Sequence, residues 1–154
     1  MAELRKGCEK LGFENVQTYI QSGNLTLSSE WPAAEIREKI VGFVTDACAF
    51  TPDILVMERG EFQKIVADCP YGDKGEDLSR VHVFFHLGTP PDTGDIALPE
   101  GDMSQFKAGI SAHYLSTPDG MSKSKLAEIL SRKLKEYATA RNLRTCKKLL
   151  AMSG

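Results

Sequence analysis

Hydrophobic residues recur along the chain with two periods, and the change of period predicts where helices give way to strands. A spacing of three or four residues predicts helices over residues 1–11, 32–47, 61–67 and 122–137, and a last helix that begins after Asn142. Alternating or continuous apolar runs predict strands at 16–21, 25–28, 53–58, 80–87, 105–108, 113–116 and 139–141. This order predicts an α+β fold.

The first half has the order helix–strand–strand–helix–strand. That is the order of a split β-α-β plait of the ferredoxin-like type whose first strand is missing. A sheet without that strand has an uncovered edge, which is a site of association. We therefore expect either further chain before Met1 or self-association through the open sheet edge.

Composition places the chain among soluble globular proteins. It has 154 residues, of which 42% are hydrophobic and 26% charged. No apolar run approaches the roughly 20 residues that cross a bilayer, and the first residues are too charged for a signal peptide. The four cysteines lack CxxC spacing, which indicates reduced thiols in a cytoplasmic protein and not a zinc site. We expect no metal, no cofactor and no membrane contact.

Charge is distributed unevenly along the chain. Residues 122–154 carry nine basic and two acidic side chains, a net charge of +7, which leaves −9 for residues 1–121. Such asymmetry is typical of proteins with an anionic partner, nucleic acid included. The alternative is a pair of helices whose basic faces are simply solvated.

Cations stand at two predicted helix starts, where the helix dipole disfavours them by roughly 0.3–1 kcal/mol each. Lys123 and Lys125 begin one helix and Arg144 the other. A bound phosphate or carboxylate would reverse that penalty. We therefore predict an anion site formed by residues of both helix starts: Ser124, Lys125, Arg141, Asn142 and Thr145. The spacing does not match a P-loop.

The segment Gln21-Ser22-Gly23-Asn24 predicts a hairpin turn, with Gly23 at a position of positive φ. No turn type requires Gln21. If this hairpin end faces the tail, Gln21 and Asn24 would add amide donors to the anion site.

Other chemistry finds little support in the sequence. His82 and His86 share one strand face but stand about 13 Å apart, too far to bind one metal ion. His113 has no predicted place. No nucleophile motif of the G-x-S-x-G type occurs, and the scattered carboxylates define no acid–base pair.

Three motifs give the chain a family resemblance. They are Gly12–Asn24, then Pro118–Gly120 with Ser124–Leu126, and last Thr139–Asn142 with Thr145 and Lys148-Leu149. Together they resemble the uncharacterised bacterial family called domain of unknown function 1697. The resemblance implies a duplicated ferredoxin-like fold and no established activity. We expect residues 1–58 to form the first half and residues 59–154 the second, in one compact globular unit.

The chain departs from the family pattern in two places. Members usually begin with a strand and a Gly-rich loop of the form LLRGINVGG, whereas Met1 falls where the following helix starts. Members often have Trp after the Arg-Asn pair, where this chain has Leu143. The first departure leads us to expect a strand and loop encoded upstream.

These observations leave three functions open. The leading one is a small cytoplasmic ligand-binding protein, or an enzyme of unknown reaction, with an anion site. The second is a nucleic-acid-binding module that uses the basic tail. The third is a structural or interaction protein whose motifs only cap helices and close turns.

Overall fold

The computed structural model describes residues 2–19, 23–48 and 53–153. The chain divides into two units, one of residues 1–62 with 148–154 and the other of residues 63–147. The described residues contain five α-helices and two antiparallel sheets. The predicted α+β class is confirmed. No helix in the described part of the chain is long and apolar enough to span a membrane.

The first unit is built on a hairpin between two helices. In chain order these are α1 (Ala2–Lys10), β1 (Glu14–Tyr19), β2 (Asn24–Ser28) and α2 (Ala33–Cys48). The strands pair antiparallel with Tyr19 opposite Asn24, and Gly23 has the positive φ that the turn requires, 83°. The buried core residues of this unit are Cys8, Phe13, Val16, Ile36 and Ile40. Leu25 and Leu27 of β2 pack against this core.

Residues 53–58 differ from the prediction. The apolar run predicts a buried strand, but the segment belongs to no helix or strand and pairs with no other described strand. Ile54 and Val56 still pack against the core of the first unit. The apolar run thus corresponds to half-buried Ile54, Val56 and Met57, whereas Leu55 is exposed, and a strand also needs a backbone partner.

The second unit contains a four-stranded antiparallel sheet in the order β4-β5-β3-β6. Its strands are β3 (Val81–His86), β4 (Gln105–Lys107), β5 (Ala112–Ser116) and β6 (Ala138–Asn142). The helices are α3 (Arg59–Ala67), α4 (Lys125–Lys133) and α5 (Leu143–Ser153). Both α3 and α5 run across the division between the units.

Both faces of this sheet are buried. One face packs against α4, where Phe84 and Leu115 meet Leu126, Leu130 and Leu134. Strand side chains alternate between faces, so Val81 and Val83 point the other way, and both are fully buried. On that side the Tyr114 hydroxyl donates a hydrogen bond of 2.7 Å to the Ile65 carbonyl of α3.

The helix predicted over residues 122–137 is shorter than its apolar stripe suggested. Residues 121–123 form a turn of 3₁₀ helix, and α4 ends at Lys133. Ile129, predicted on the buried stripe, is 39% exposed, and Tyr137 lies beyond the helix at 42% exposed. The stripe that packs against the sheet is therefore Leu126, Leu130 and Leu134.

Candidate functional site

The first predicted part of the anion site lies at the start of α4. Ser124 is the residue that caps this helix, and its hydroxyl accepts a hydrogen bond of 3.0 Å from the Ala127 amide. Ser124 is buried, whereas Lys125 is exposed. Ser124 thus satisfies one of the amides that a helix start leaves without an internal partner.

A carboxylate of the chain itself lies at this helix start. Asp102 Oδ2 accepts hydrogen bonds of 2.9 Å from both the Leu126 amide and the Ser124 hydroxyl. Its Oδ1 accepts the Ser104 hydroxyl at 2.6 Å and the Ser104 amide at 3.0 Å. These bonds, the Ser104 hydroxyl first and the Leu126 amide next, hold the pKa of Asp102 well below its usual range. An anion therefore does sit at the start of α4, and it is an internal one.

The sequence contained only part of the signal for this arrangement. An Asp followed two residues later by Ser is a common local turn pattern. In this turn the Asp102 side chain accepts a hydrogen bond from the Ser104 amide. The contact with Leu126 spans 24 residues, and no local pattern predicts it.

The second predicted part of the site lies where β6 ends and α5 begins. Asn142 Oδ1 accepts a hydrogen bond of 2.8 Å from the Thr145 amide, which confirms Asn142 as the predicted cap. Thr145 is buried. In contrast to α4, the first turn of α5 contains no acidic residue.

Two exposed arginines from different elements lie within electrostatic range of one carboxylate, Asp77. Arg144 Nη2 lies 3.4 Å from Asp77 Oδ1, and the Arg80 guanidinium donates a hydrogen bond to the Pro118 carbonyl. Arg141 is half-buried, and its Nη1 donates to the Ala140 carbonyl at 2.8 Å. Arg80 carried no signal in the sequence, because a single Arg before a strand has no motif.

Asp77 pairs with Arg144 and lies within electrostatic range of Arg80. Its Oδ1 accepts hydrogen bonds from the Ser79 hydroxyl at 2.6 Å and the Ser79 amide at 2.9 Å. The bonds from Ser79 come first in lowering the pKa of Asp77, and the charges of Arg144 and Arg80 lower it further. Two guanidinium groups therefore lie within electrostatic reach of one carboxylate that is already bonded to Ser79.

The hairpin residues predicted to join the site lie in the first unit, whereas the five other predicted residues lie in the second. Asn24 is buried, and its Nδ2 donates a hydrogen bond of 3.3 Å to the Tyr19 carbonyl, closing the hairpin. Gly23 provides the turn. Gln21 and Ser22 lie outside the described residues.

Metal and thiol chemistry have little basis in the second unit. No group of three His, Cys, Asp or Glu side chains among the described residues is placed to hold a metal ion. Cys69 and Cys146 are free and buried, and burial raises the pKa of both thiols, that of Cys146 to about 12. A thiol with so high a pKa is protonated at neutral pH and is a poor nucleophile.

Comparisons with known proteins give a family and a similar fold. No curated protein matches the chain. A solved structure, that of the conserved bacterial protein SP0830 from Streptococcus pneumoniae, is similar in fold, with a TM-score of 0.77 and 24% sequence identity. The likeness covers 100% of this chain and 88% of that protein. A family described as a protein of unknown function (DUF1697) matches residues 1–112, which include the first of the three motifs. The chain therefore belongs to this family, as its motifs predicted.

Proposed function

We propose that this chain is a cytoplasmic small-ligand-binding protein whose anion site, for phosphate or carboxylate, lies at the start of α5. The observation that supports it is that Arg144, in a first turn without an acidic residue, and Arg80 both lie within electrostatic range of Asp77. Asn142 and Thr145 complete the helix start, and Arg141 is the adjoining residue of β6.

Charge favours an anion at this position. Arg80 and Arg144 both lie within electrostatic range of Asp77, and the Arg144–Asp77 contact of 3.4 Å is long for a charge-assisted hydrogen bond. The amides of Leu143 and Arg144 belong to the first turn, where the backbone has no carbonyl partner within the helix. A phosphate or carboxylate would accept from these amides and from the guanidinium groups together.

The predicted contribution of the α4 start is weaker. Asp102 already accepts from the Leu126 amide, so a second anion there would meet a like charge. Ser124 and Lys125 remain predicted ligand residues, but the geometry favours the α5 start over them.

Phosphate titration monitored by amide NMR tests the proposal. We expect saturable shifts of the Leu143 and Arg144 amides, and at least a fivefold weaker affinity in Arg144→Gln. Arg132→Gln is the matched control, because Arg132 is also an exposed helix arginine paired with one carboxylate, Glu128, at 2.9 Å. Equal affinities in the two variants would contradict the site, as would shifts confined to α4.

The same titration with a short oligonucleotide tests nucleic-acid binding. That function predicts an affinity that falls steeply with salt, because phosphate contacts release counterions. It also predicts that Arg132→Gln weakens binding as much as Arg144→Gln does. Two cations of the basic segment outside the proposed site, Arg132 and Lys133, already pair with carboxylates at 2.9 Å. We therefore favour the small anion.

We also infer that the second unit is a ferredoxin-like plait with one crossover helix replaced by the connection of residues 87–104. Read from β6, its strand order β6-β3-β5-β4 is that of such a plait, and α4 connects β5 to β6. A duplicated fold would place a second plait in the first unit.

Self-association through a sheet edge is the second proposed property. The β1–β2 sheet has no third strand among the described residues, and two-stranded sheets are marginally stable alone. The Thr26 hydroxyl of β2 is buried without a hydrogen-bond partner in the described part of the chain. Sedimentation velocity between about 5 and 500 µM should show a dimer, whereas a monomer throughout would contradict this proposal and leave the anion site untouched.

A further inference from the structure

The turn between β4 and β5 is held by two histidines from neighbouring strands. The Gly109 amide donates a hydrogen bond of 3.1 Å to His113 Nδ1, and His86 Nδ1 lies 3.1 Å from the Ile110 carbonyl oxygen. A backbone amide only donates and a carbonyl only accepts. His113 Nδ1 therefore carries no hydrogen, and its neutral ring has the hydrogen on Nε2, whereas His86 has it on Nδ1.

The two imidazoles are packed against each other inside the unit. Their ring centroids are 4.4 Å apart at an interplanar angle of 74°, and the Phe106 ring lies 5.5 Å from that of His113. His113 is 4% exposed. Both Nε2 atoms are buried and have no hydrogen-bond partner within the described residues.

A shared metal ion does not fit this pair. A metal bound to His113 Nε2 would require the ring hydrogen on Nδ1, directly facing the Gly109 N–H. The ring hydrogens are instead arranged so that each Nδ1 atom bonds the backbone of the turn. The turn is also tight, because a Cβ on Gly109 would collide with the Ala112 carbonyl. Ile110 at the tip is fully exposed, so its side chain adds no packing that would hold the turn.

We propose that His113 is a proton-operated latch, which closes the β4–β5 turn when its ring is neutral and releases the turn when protonated. An imidazolium has hydrogens on both nitrogens, so Nδ1 can no longer accept from Gly109. The proton comes from solvent and returns to it. The backbone of Ala112 favours the protonated ring.

The groups around His113 determine the pH at which the latch opens. They are the His86 ring of β3, the Phe106 ring of β4, the turn backbone and the Ala112 backbone of β5. Burial lowers the pKa of His113, and the neighbouring His86 lowers it further, against a smaller opposing effect of Ala112. Burial also lowers the pKa of His86, which the Ile110 contact partly offsets. The latch is thus closed at neutral pH and opens only below the usual pKa of a histidine.

The opposite end of β4 does not respond to the same change of pH. Ser104, directly before this strand, is bonded to Asp102, which also holds the start of α4. The low pKa of Asp102 keeps that carboxylate charged throughout the range in which histidines titrate. Acid should therefore release only the end of β4 that adjoins the turn.

Amide hydrogen exchange of Gly109, corrected for the intrinsic pH dependence of exchange, tests the latch between pH 7.5 and the lowest pH at which the chain stays folded. Loss of one hydrogen bond of ordinary strength corresponds to about a tenfold fall in protection. We expect this fall in the wild-type chain, with a midpoint that matches the titration of the His113 ring nitrogens.

Two substitutions of the same residue separate the latch from simple packing. In His113→Asn the amide oxygen replaces Nδ1 as an acceptor that does not titrate, so Gly109 should stay protected at both pH values. In His113→Phe no acceptor remains, and Gly109 should exchange fast at both. His86→Phe should move the midpoint to higher pH, because one group that lowers the pKa of His113 is removed.

His82→Asn is the matched control, since His82 lies on the same sheet face at the other end of β3, 3.4 Å from the Thr117 hydroxyl. It should leave the Gly109 profile unchanged. Constant protection of Gly109 in the wild-type chain while the His113 ring becomes protonated would overturn the proposal. So would a pH-dependent profile in His113→Asn, and these two comparisons suffice even if His113→Phe does not fold.

Discussion

The starts of α4 and α5 have similar sequences and different environments. Each has a polar cap, Ser124 or Asn142, followed by a cation in the first turn. At α4 the chain supplies its own carboxylate, Asp102, to the helix amides. At α5 the nearby carboxylate, Asp77, is bonded to Ser79 and pairs with the Arg144 side chain rather than with a helix amide. The same local pattern therefore marks an internally satisfied helix start in one place and a candidate ligand site in the other.

The largest expected effects are losses of unfolding free energy when the buried leucine that anchors each helix is truncated. These losses should be similar for α4 and α5. Leu130 of α4 and Leu143 of α5 are almost completely buried. Replacing either with Ala should cost about 2–5 kcal/mol in urea unfolding, as truncation of a buried leucine does. The control Ile129→Ala, at a 39% exposed position, should cost less than about 1 kcal/mol. A small loss for Leu130→Ala would mean that α4 is not anchored to the sheet.

The next effect concerns the α4 cap. Ser124→Ala removes the acceptor of the Ala127 amide and one donor to Asp102, and should cost about 0.5–2 kcal/mol. Urea midpoints measure this cost. Ser122→Ala is the control, because Ser122 is exposed and lies before the cap. Equal midpoints for the two variants would show that the cap contributes nothing.

A smaller effect should distinguish the helix starts directly. Asn142→Asp places a carboxylate at the α5 start and should raise the unfolding free energy by about 0.3–1 kcal/mol through the helix dipole. It should also weaken phosphate binding. Ser124→Asp should give no such gain, because Asp102 already accepts from the Leu126 amide. Thermal unfolding at low ionic strength compares the two, and a gain at both helices would remove the proposed difference.

The smallest expected effect is the absence of a response at α4 to mild acid. A carboxylate whose folded pKa lies below its unfolded pKa stabilises the fold above the unfolded value, and that stability is lost as pH falls through the folded one. The pKa of Asp102 is lowered in this way. Protection of the Leu126 amide from exchange should therefore be the same at pH 7 and pH 5. A fall in that interval would show that Asp102 does not hold the helix start.

Prediction from sequence succeeded where the signal was local. The hairpin around Gly23 and the cap at Asn142 each depend on residues within a few positions of one another, and both are present. Residues 53–58 were wrongly predicted as a strand, since a strand depends on a distant backbone partner. The pairing of His86 with His113 was missed for the same reason, because only the β3–β5 register brings them together.

By itself the sequence determined the α+β class, the family and most buried side chains, because hydrophobic period and turn residues act over short distances. It also identified the two helix starts as unusual. Only the tertiary structure decided which charged side chains lie at each helix start. Asp102 reaches α4 and Asp77 reaches Arg144 of α5 across long stretches of chain, and the electrostatics of a helix start depend on whichever charge folding brings to it.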